Sequence, residues 1–520
     1  MPTWDQPYDS NRSPVCAANV VATSQPLAVQ AGLDMMREGG NAIDAAIASA
    51  ITLTVVEPNN TGIGSDAFAM VWDGDTLCGL NASGRAPRGW SRDRFAGLQH
   101  MPELGWDSVT VPGAVSAWAI LSERYGKVPF SDLFKTAIHY AEDGFQVGPI
   151  TAFYWQQAAE TYASFPDFGK HFLPAPKAGE MVYRTELATT LRSIAASNGA
   201  SFYTGELAER IASASTSAGG ALTQEDLAAH EATWVEPLAI DYRDILLHEI
   251  PPNGQGLAAL IALGILNHFD PPELDSADSV HLQLEAMKIA IRAAFEHFAD
   301  IRYMNVAPEE LLDPAMLKRA AATIGRDASR LPPVALPVSQ DTVYLTTADA
   351  SGNMVSFIQS NYRGFGSGIV IPNTGIAMQS RGLGFSLDPD HPNCVAPGKR
   401  PFHTIIPGFV TEAGIARLSF GVMGGHMQHQ GHMQMVQRIF DHNQNPQAAS
   451  DAPRWHIRAD FSVALETGFS PSVANDLAAR GHHIEFDSQR IFGGAQLIYR
   501  TTDGYIAGSD HRKEGMAAGF

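Results

Sequence analysis

Residues 341–386 read DTVYLTTADASGNMVSFIQSNYRGFGSGIVIPNTGIAMQSRGLGFS. Two β-like runs fill Thr342 to Ile358, split by a turn at Asp349-Ala350-Ser351-Gly352-Asn353. Glycine then becomes dense, at Gly364, Gly366, Gly368, Gly375, Gly382 and Gly384. Upstream the pattern is different. Pro26 to Arg37 carries apolar residues at helical spacing and stops at Gly39-Gly40. Asn41 is placed to cap a second helix that runs to about Val56, before Pro58. Ala67–Trp72 and Thr76–Leu80 flank Asp73-Gly74-Asp75, a hairpin signal. Helices are predicted around Gly113–Tyr125, Phe130–Asp143 and Ser279–Ile301, with strands across Pro237–Glu249. Downstream, strands alternate with a helix that begins near Gly425. Helices first and strands later, with no repeat and no long linker, predict an α+β fold in packed layers.

The chain has 520 residues, 45% of them hydrophobic, enough for a large core. Its net charge of −20 argues against nucleic acid or an anionic membrane as partner, while leaving room for a small anionic substrate beside local arginines. Cys16, Cys78 and Cys394 are odd in number and far apart, so neither a disulfide framework nor a zinc knuckle is expected. The start, MPTWDQPYDSNRSPVCAANVV, lacks the basic-then-apolar order of a secretory signal. The apolar run Ala42–Val56 contains Asp44 and is too short to span a bilayer. These features predict a cytoplasmic protein.

Common chemical motifs are missing. There is no Walker loop, HExxH, GxSxG elbow or strand-following GxGxxG. His426, His429 and His432 stand three apart, which on a helix fans them around the axis instead of converging them. They are expected to be surface or supporting histidines, with no metal and no organic cofactor implied.

The run from Asp341, together with PGKRPFHTIIPGFV and FGVMGGHMQHQGH further on, resembles the small subunit of the γ-glutamyltranspeptidase family. VVATSQPLAVQAGLDMMREGGNAIDAAIASAITLTVVEP followed by TGIGSDAFAMVW resembles the same family's large subunit. The resemblance implies an N-terminal nucleophile hydrolase with a four-layer αββα fold, made as a precursor that cuts itself between Asp341 and Thr342. Residues 1–341 would form a mostly helical large subunit with outer strands. Residues 342–520 would form a small subunit headed by the nucleophile, the two making one globular unit, and a dimer of such heterodimers is left open. The chemistry is coherent. A threonine hydroxyl needs a base, and at a new N-terminus its own α-amino group, of ordinary pKa about 7.7–8.0, serves. Before cleavage the same hydroxyl would attack the Asp341 carbonyl, and water would resolve the ester. Ser360 falls where the family has a hydroxyl that bonds the nucleophile. Gly424 and Gly425 match the glycine pair whose N–H groups form the oxyanion hole.

The head-group positions depart from the family. Where it holds a substrate ammonium, this sequence has Tyr362, Arg381 and Gly384, none of them an anion. The family's arginine falls at Ser83, with Arg85 two residues on, and its paired serines fall at His403 and Thr404. The resulting pocket suits an acid without an ammonium group, with Arg381 or Arg85 as carboxylate anchor. Oxamate, hydrolysed to oxalate and ammonia, is the expected substrate. A γ-glutamyl amide and a glutaryl amide are the alternatives, and a small-acid binder that never matures is the reading from another class.

Overall fold

The computed structural model describes residues 12–334, 341–487 and 489–520. Two seven-stranded sheets form its centre. The first runs, edge to edge, Met516–Gly519, Val20–Thr23, Asp341–Ala348, Met354–Tyr362, Asp66–Trp72, Leu77–Asn81 and Thr233–Val235. The second runs Val15–Ala17, Tyr505–Ser509, Gly494–Arg500, Ile415–Met423, Gly408–Glu412, Ile245–Glu249 and Leu238–Tyr242.

Strand alternation sorts the side chains between faces. Along Asp66–Trp72, Phe68, Met70 and Trp72 join a core shared with Phe409, Met423 and Ile498 of the second sheet. Ala67, Ala69 and Val71 turn the other way, into a core with helices Pro26–Arg37 and Ala42–Val56. The second sheet repeats the division: Val410, Leu418, Phe420 and Leu497 pack with helices Gly256–Leu266 and Ala277–His297. Helix Ala42–Val56 is buried along its whole length and starts at a capping box of Asn41 and Asp44. The expected hairpin forms between Asp66–Trp72 and Leu77–Asn81, with Gly74 at φ +102° in its turn.

The α+β expectation holds. Strands from before Thr342 lie at sheet edges and also inside the first sheet: Val20–Thr23 pairs directly with Asp341–Ala348, and Asp66–Trp72 pairs with Met354–Tyr362. A four-residue run buried on both faces, VVAT, has no alternation by which its inner place could be recognised. Of the two places expected for His426, His429 and His432, surface or supporting, the surface is excluded: all are buried around helix Met427–Val436, where His429 meets Gln255 and His432 meets Glu249. Among the described residues no helix is long and apolar enough to cross a membrane.

Candidate active site

Thr342 lies near the start of a strand paired on both sides, and is 1% exposed. Its position over the second sheet follows from the strand's period. Thr346 Oγ1 meets Ser419 Oγ at 2.5 Å. Two residues back, the Tyr344 ring covers Gly421, whose added Cβ would come within 2.5 Å of it. Thr342 lies two residues further back on the same face of the strand, and on the facing sheet strand Ile415–Met423 gives way to Gly424 and Gly425. The register slips between Asp341 and Val343, which stand opposite Tyr362 and Gln359. The extra residue of this bulge is on the strand that carries Ser360, a device that re-aims side chains. Thr342 Oγ1 donates to Ser360 Oγ at 3.3 Å, and Ser360 Oγ also accepts the Tyr362 N–H at 2.8 Å. The side chain of Asp341 lies outside the described residues.

Gly424 and Gly425 adopt φ of +115° and +59°, conformations that favour glycine. Gly424 backs onto Gly493, whose Cα would sit 3.0 Å from an added Cβ. Among the described residues, neither glycine's N–H has a protein acceptor. Gln255 ties this turn to the rest of the site. Its Nε2 donates to Gly425 O at 2.8 Å and to Thr404 O at 2.5 Å.

Tyr362, with φ +78° at a buried strand end, is backbone strain in an L-residue. Its ring lies under the Arg381 guanidinium, 4.6 Å from the centroid. Arg381 is 1% exposed and donates from Nη1 to Thr404 Oγ1 at 2.9 Å. Its Nε and Nη2 have no partner among the described residues. Burial lowers its pKa to about 10, opposed by the charge of Asp66, so it remains a cation at neutral pH. Trp90, Leu383 and Phe385 pack with Tyr362 to form an apolar wall. Gly384 cannot carry an acid here, because a Cβ would come within 2.3 Å of Phe402 O.

Ser360, Tyr362, Arg381, Thr404, Gly424 and Gly425 thus join Thr342 in one linked group, and His403 borders it. Arg85 does not join them. Its Nη1 donates to Asp300 Oδ2 at 3.2 Å and Gly398 O at 3.3 Å.

Two residues escaped the sequence reading. Gln255 sits in a loop motif, PPNGQG, that names no chemistry. Asp66 returns a carboxyl group to a pocket expected to lack one. Its Oδ1 accepts N–H bonds from Gly84 at 3.2 Å and Gly113 at 3.0 Å. Its Oδ2 lies 3.2 Å from His403 Nε2. Burial raises Asp66 to about 7, opposed by the Arg381 charge and by the two N–H groups. Burial, then the charges of Arg381 and Arg400, hold His403 well below its ordinary value. The pair has ion-pair geometry, but with a neutral imidazole it is a hydrogen bond. The signal available in sequence was TGIGSDAF, where an acid interrupts a run of small residues.

Residues 28–520 match the profile of the family described as Gamma-glutamyltranspeptidase. The chain is 36% identical to the oxamate amidohydrolase proenzyme of Klebsiella pneumoniae, with 95% of this chain and 97% of that one covered. It is 34% identical to the glutathione hydrolase-like YwrD proenzyme of Bacillus subtilis, over 98% of this chain and all of the relative. The crystal structure of a cephalosporin acylase from Bacillus halodurans superposes with a TM-score of 0.96 at 47% identity, covering 100% of this chain and 99% of that one.

Proposed function

We propose that this chain, which belongs to the γ-glutamyltranspeptidase family of amide hydrolases, cuts itself between Asp341 and Thr342 and then hydrolyses the amide of a small carboxylic acid, with oxamate as its substrate. The reading includes the four-layer αββα arrangement of N-terminal nucleophile hydrolases.

One observation carries the choice of substrate: a buried guanidinium with two nitrogens that have no partner among the described residues, joined through Thr404 and Gln255 to the glycine turn. A buried, unsatisfied cationic donor is costly unless a ligand completes it, and a carboxylate matches the guanidinium fork. In the proposed cycle Thr342 Oγ1 attacks the amide carbon and its α-amine takes the hydroxyl proton. The N–H groups of Gly424 and Gly425 stabilise the oxyanion, by several kcal/mol as such donors do. The amine returns the proton to the leaving nitrogen, giving ammonia from oxamate and an ester on Thr342. Water, activated by the same amine, cleaves the ester to oxalate and free Thr342. Ser360 holds the hydroxyl in line.

A second reading has its own support. The structural relative at 47% identity is called a cephalosporin acylase. A glutaryl amide would meet the guanidinium through its free carboxylate. The test is a panel of oxamate, a glutaryl amide and γ-glutamyl-p-nitroanilide against protein shown by denaturing mass spectrometry to be cut before Thr342. Ammonia release from oxamate is expected. Turnover of the γ-glutamyl substrate without oxamate turnover would overturn the proposal, and a chain that stays whole would favour a binding protein.

A further inference from the structure

Arg381 has two suitors. One is the substrate carboxylate of the proposed reaction, on which this inference rests. The other is already in the protein. Asp66 and His403 are both 0% exposed and bonded to each other. The residue after His403, Thr404, receives Arg381 Nη1. Asp66 also stands directly opposite Ser360 in the sheet, so its side chain shares a face with the hydroxyl that meets Thr342.

The tautomer of His403 is fixed locally. Its Nδ1 accepts the Ile405 N–H at 3.4 Å, which leaves Nε2 as the donor to Asp66. Asp66 is therefore held by three donors, two on Oδ1 and one on Oδ2. It serves the site by charge alone. The groups that face it are His403, the guanidinium groups of Arg381 and Arg400, and the phenol of Tyr203. His403 is neutral and Tyr203 is a phenol. Arg400 is spent on Ser83 O, Glu231 O and Thr233 Oγ1. The charge open to a ligand is that of Arg381.

We propose that Asp66 sets the selectivity of the acyl pocket as the resident counter-charge of Arg381, so that a carboxylate ligand enters with uptake of one proton by Asp66. With Asp66 ionised, an arriving carboxylate makes two anions around one open cation in a buried site, where Coulomb repulsion is poorly screened. With Asp66 protonated, one anion meets one cation. A proton from solvent balances the step, and it goes to Oδ2, which accepts one bond where Oδ1 accepts two. The position of its ionisation, about 7, places this choice in the neutral range.

Isothermal titration of the cut protein with oxalate and with glutarate, each in two buffers of different ionisation enthalpy, reads the protons taken up per ligand. Near neutral pH, for a group titrating at about 7, uptake should rise from about 0.1 proton at about pH 6 to about 0.9 at about pH 8, and affinity should fall about tenfold across that range. Asp66→Asn should abolish the uptake and flatten the pH profile. No uptake in the native protein near pH 8, or uptake that survives in Asp66→Asn, would overturn the inference; the latter would assign the proton to the Thr342 amine. If Asp66→Asn does not fold, His403→Leu takes its place. Loss of that donor should move the midpoint to higher pH, and an unmoved midpoint counts against the inference. Failure to bind either carboxylate is a different result, since it removes the anchoring role of Arg381 and with it the proposed function.

Discussion

Arg381 and Arg512 are both buried arginines, and their surroundings differ in one respect. Arg512 uses its whole fork. Its Nε and Nη2 hold Glu466 at 2.7 and 2.5 Å, Nη1 holds Asp510 at 3.1 Å and Ser450 O at 2.9 Å, and Nη2 also reaches Ala452 O at 3.0 Å. Arg381 uses one nitrogen and one aromatic face. The first is a closed joint, where buried charge is paired and hydrogen-bonded to saturation. The second is an open one, and folding gains nothing from leaving it so. An unsaturated cation beside a nucleophile is what a binding site looks like before its ligand arrives.

The hardest blow to this contrast would come from Thr342. Thr342→Ala should leave a single uncut chain on denaturing mass spectrometry and reduce amide turnover by about a thousandfold or more. A variant still cut at that bond would mean that Arg381 faces no self-made nucleophile.

The contrast itself is tested by replacing each arginine with methionine. Arg512→Met strands Asp510 and Glu466 and should cost about 3–5 kcal/mol in urea unfolding. Arg381→Met should lower kcat/KM for a carboxylate amide by about a hundredfold, roughly 3 kcal/mol, with a much smaller change in unfolding. Equal losses of stability would erase the distinction.

The two partner acids should show opposite pH signatures. Asp510 is held below its ordinary range, chiefly by the charges of Arg454 and Arg512 acting against burial. Its stabilisation is complete above the unfolded value of about 3.9 and is lost as pH falls below it, so the deficit of Asp510→Asn should shrink in acid. Asp66 is raised to about 7. Between about pH 4 and that value the folded state binds the extra proton, so stability falls as pH rises, and Asp66→Asn should remove that slope. Melting curves across about pH 3–8 read both signs.

The smallest effect is expected at Arg85, a third arginine whose side chain is 34% exposed and pairs with Asp300. Asp300 also holds Arg302 and the Arg400 N–H. Arg85→Gln should change stability by about 1 kcal/mol or less and leave turnover within a few-fold. A large loss of substrate affinity would move the anchor from Arg381 to Arg85.

Thr342, Ser360 and the Gly424-Gly425 pair stood out in sequence through motifs that resemble a known family's; residue type alone leaves Thr342 an ordinary strand threonine. Arg381 stood out as a cation at a position where that family holds an ammonium. Helices were legible from period and caps, as at Asn41 and Pro26. The misses were relational. Asp66 reaches His403 across 337 positions of sequence, and nothing local to either predicts that bond. Arg85 and Arg381 look alike until Asp300 is seen to occupy one of them. The histidines around Met427–Val436 could not be sorted between surface and supporting places because their partners, Gln255 and Glu249, come from far upstream.

The strand order has a further consequence for a chain cut before Thr342. Both sheets combine strands from either side of that bond: Asp341–Ala348 lies against Val20–Thr23, and Gly408–Glu412 lies against Ile245–Glu249. The two pieces are woven, not docked. Neither can leave without opening hydrogen-bonded ladders in both sheets, so separation and unfolding become the same event. In the folded state, pieces from two differently labelled precursors would not trade partners. The cut protein would melt in one step at a temperature that rises with its concentration, because two pieces are released where a single chain gives one.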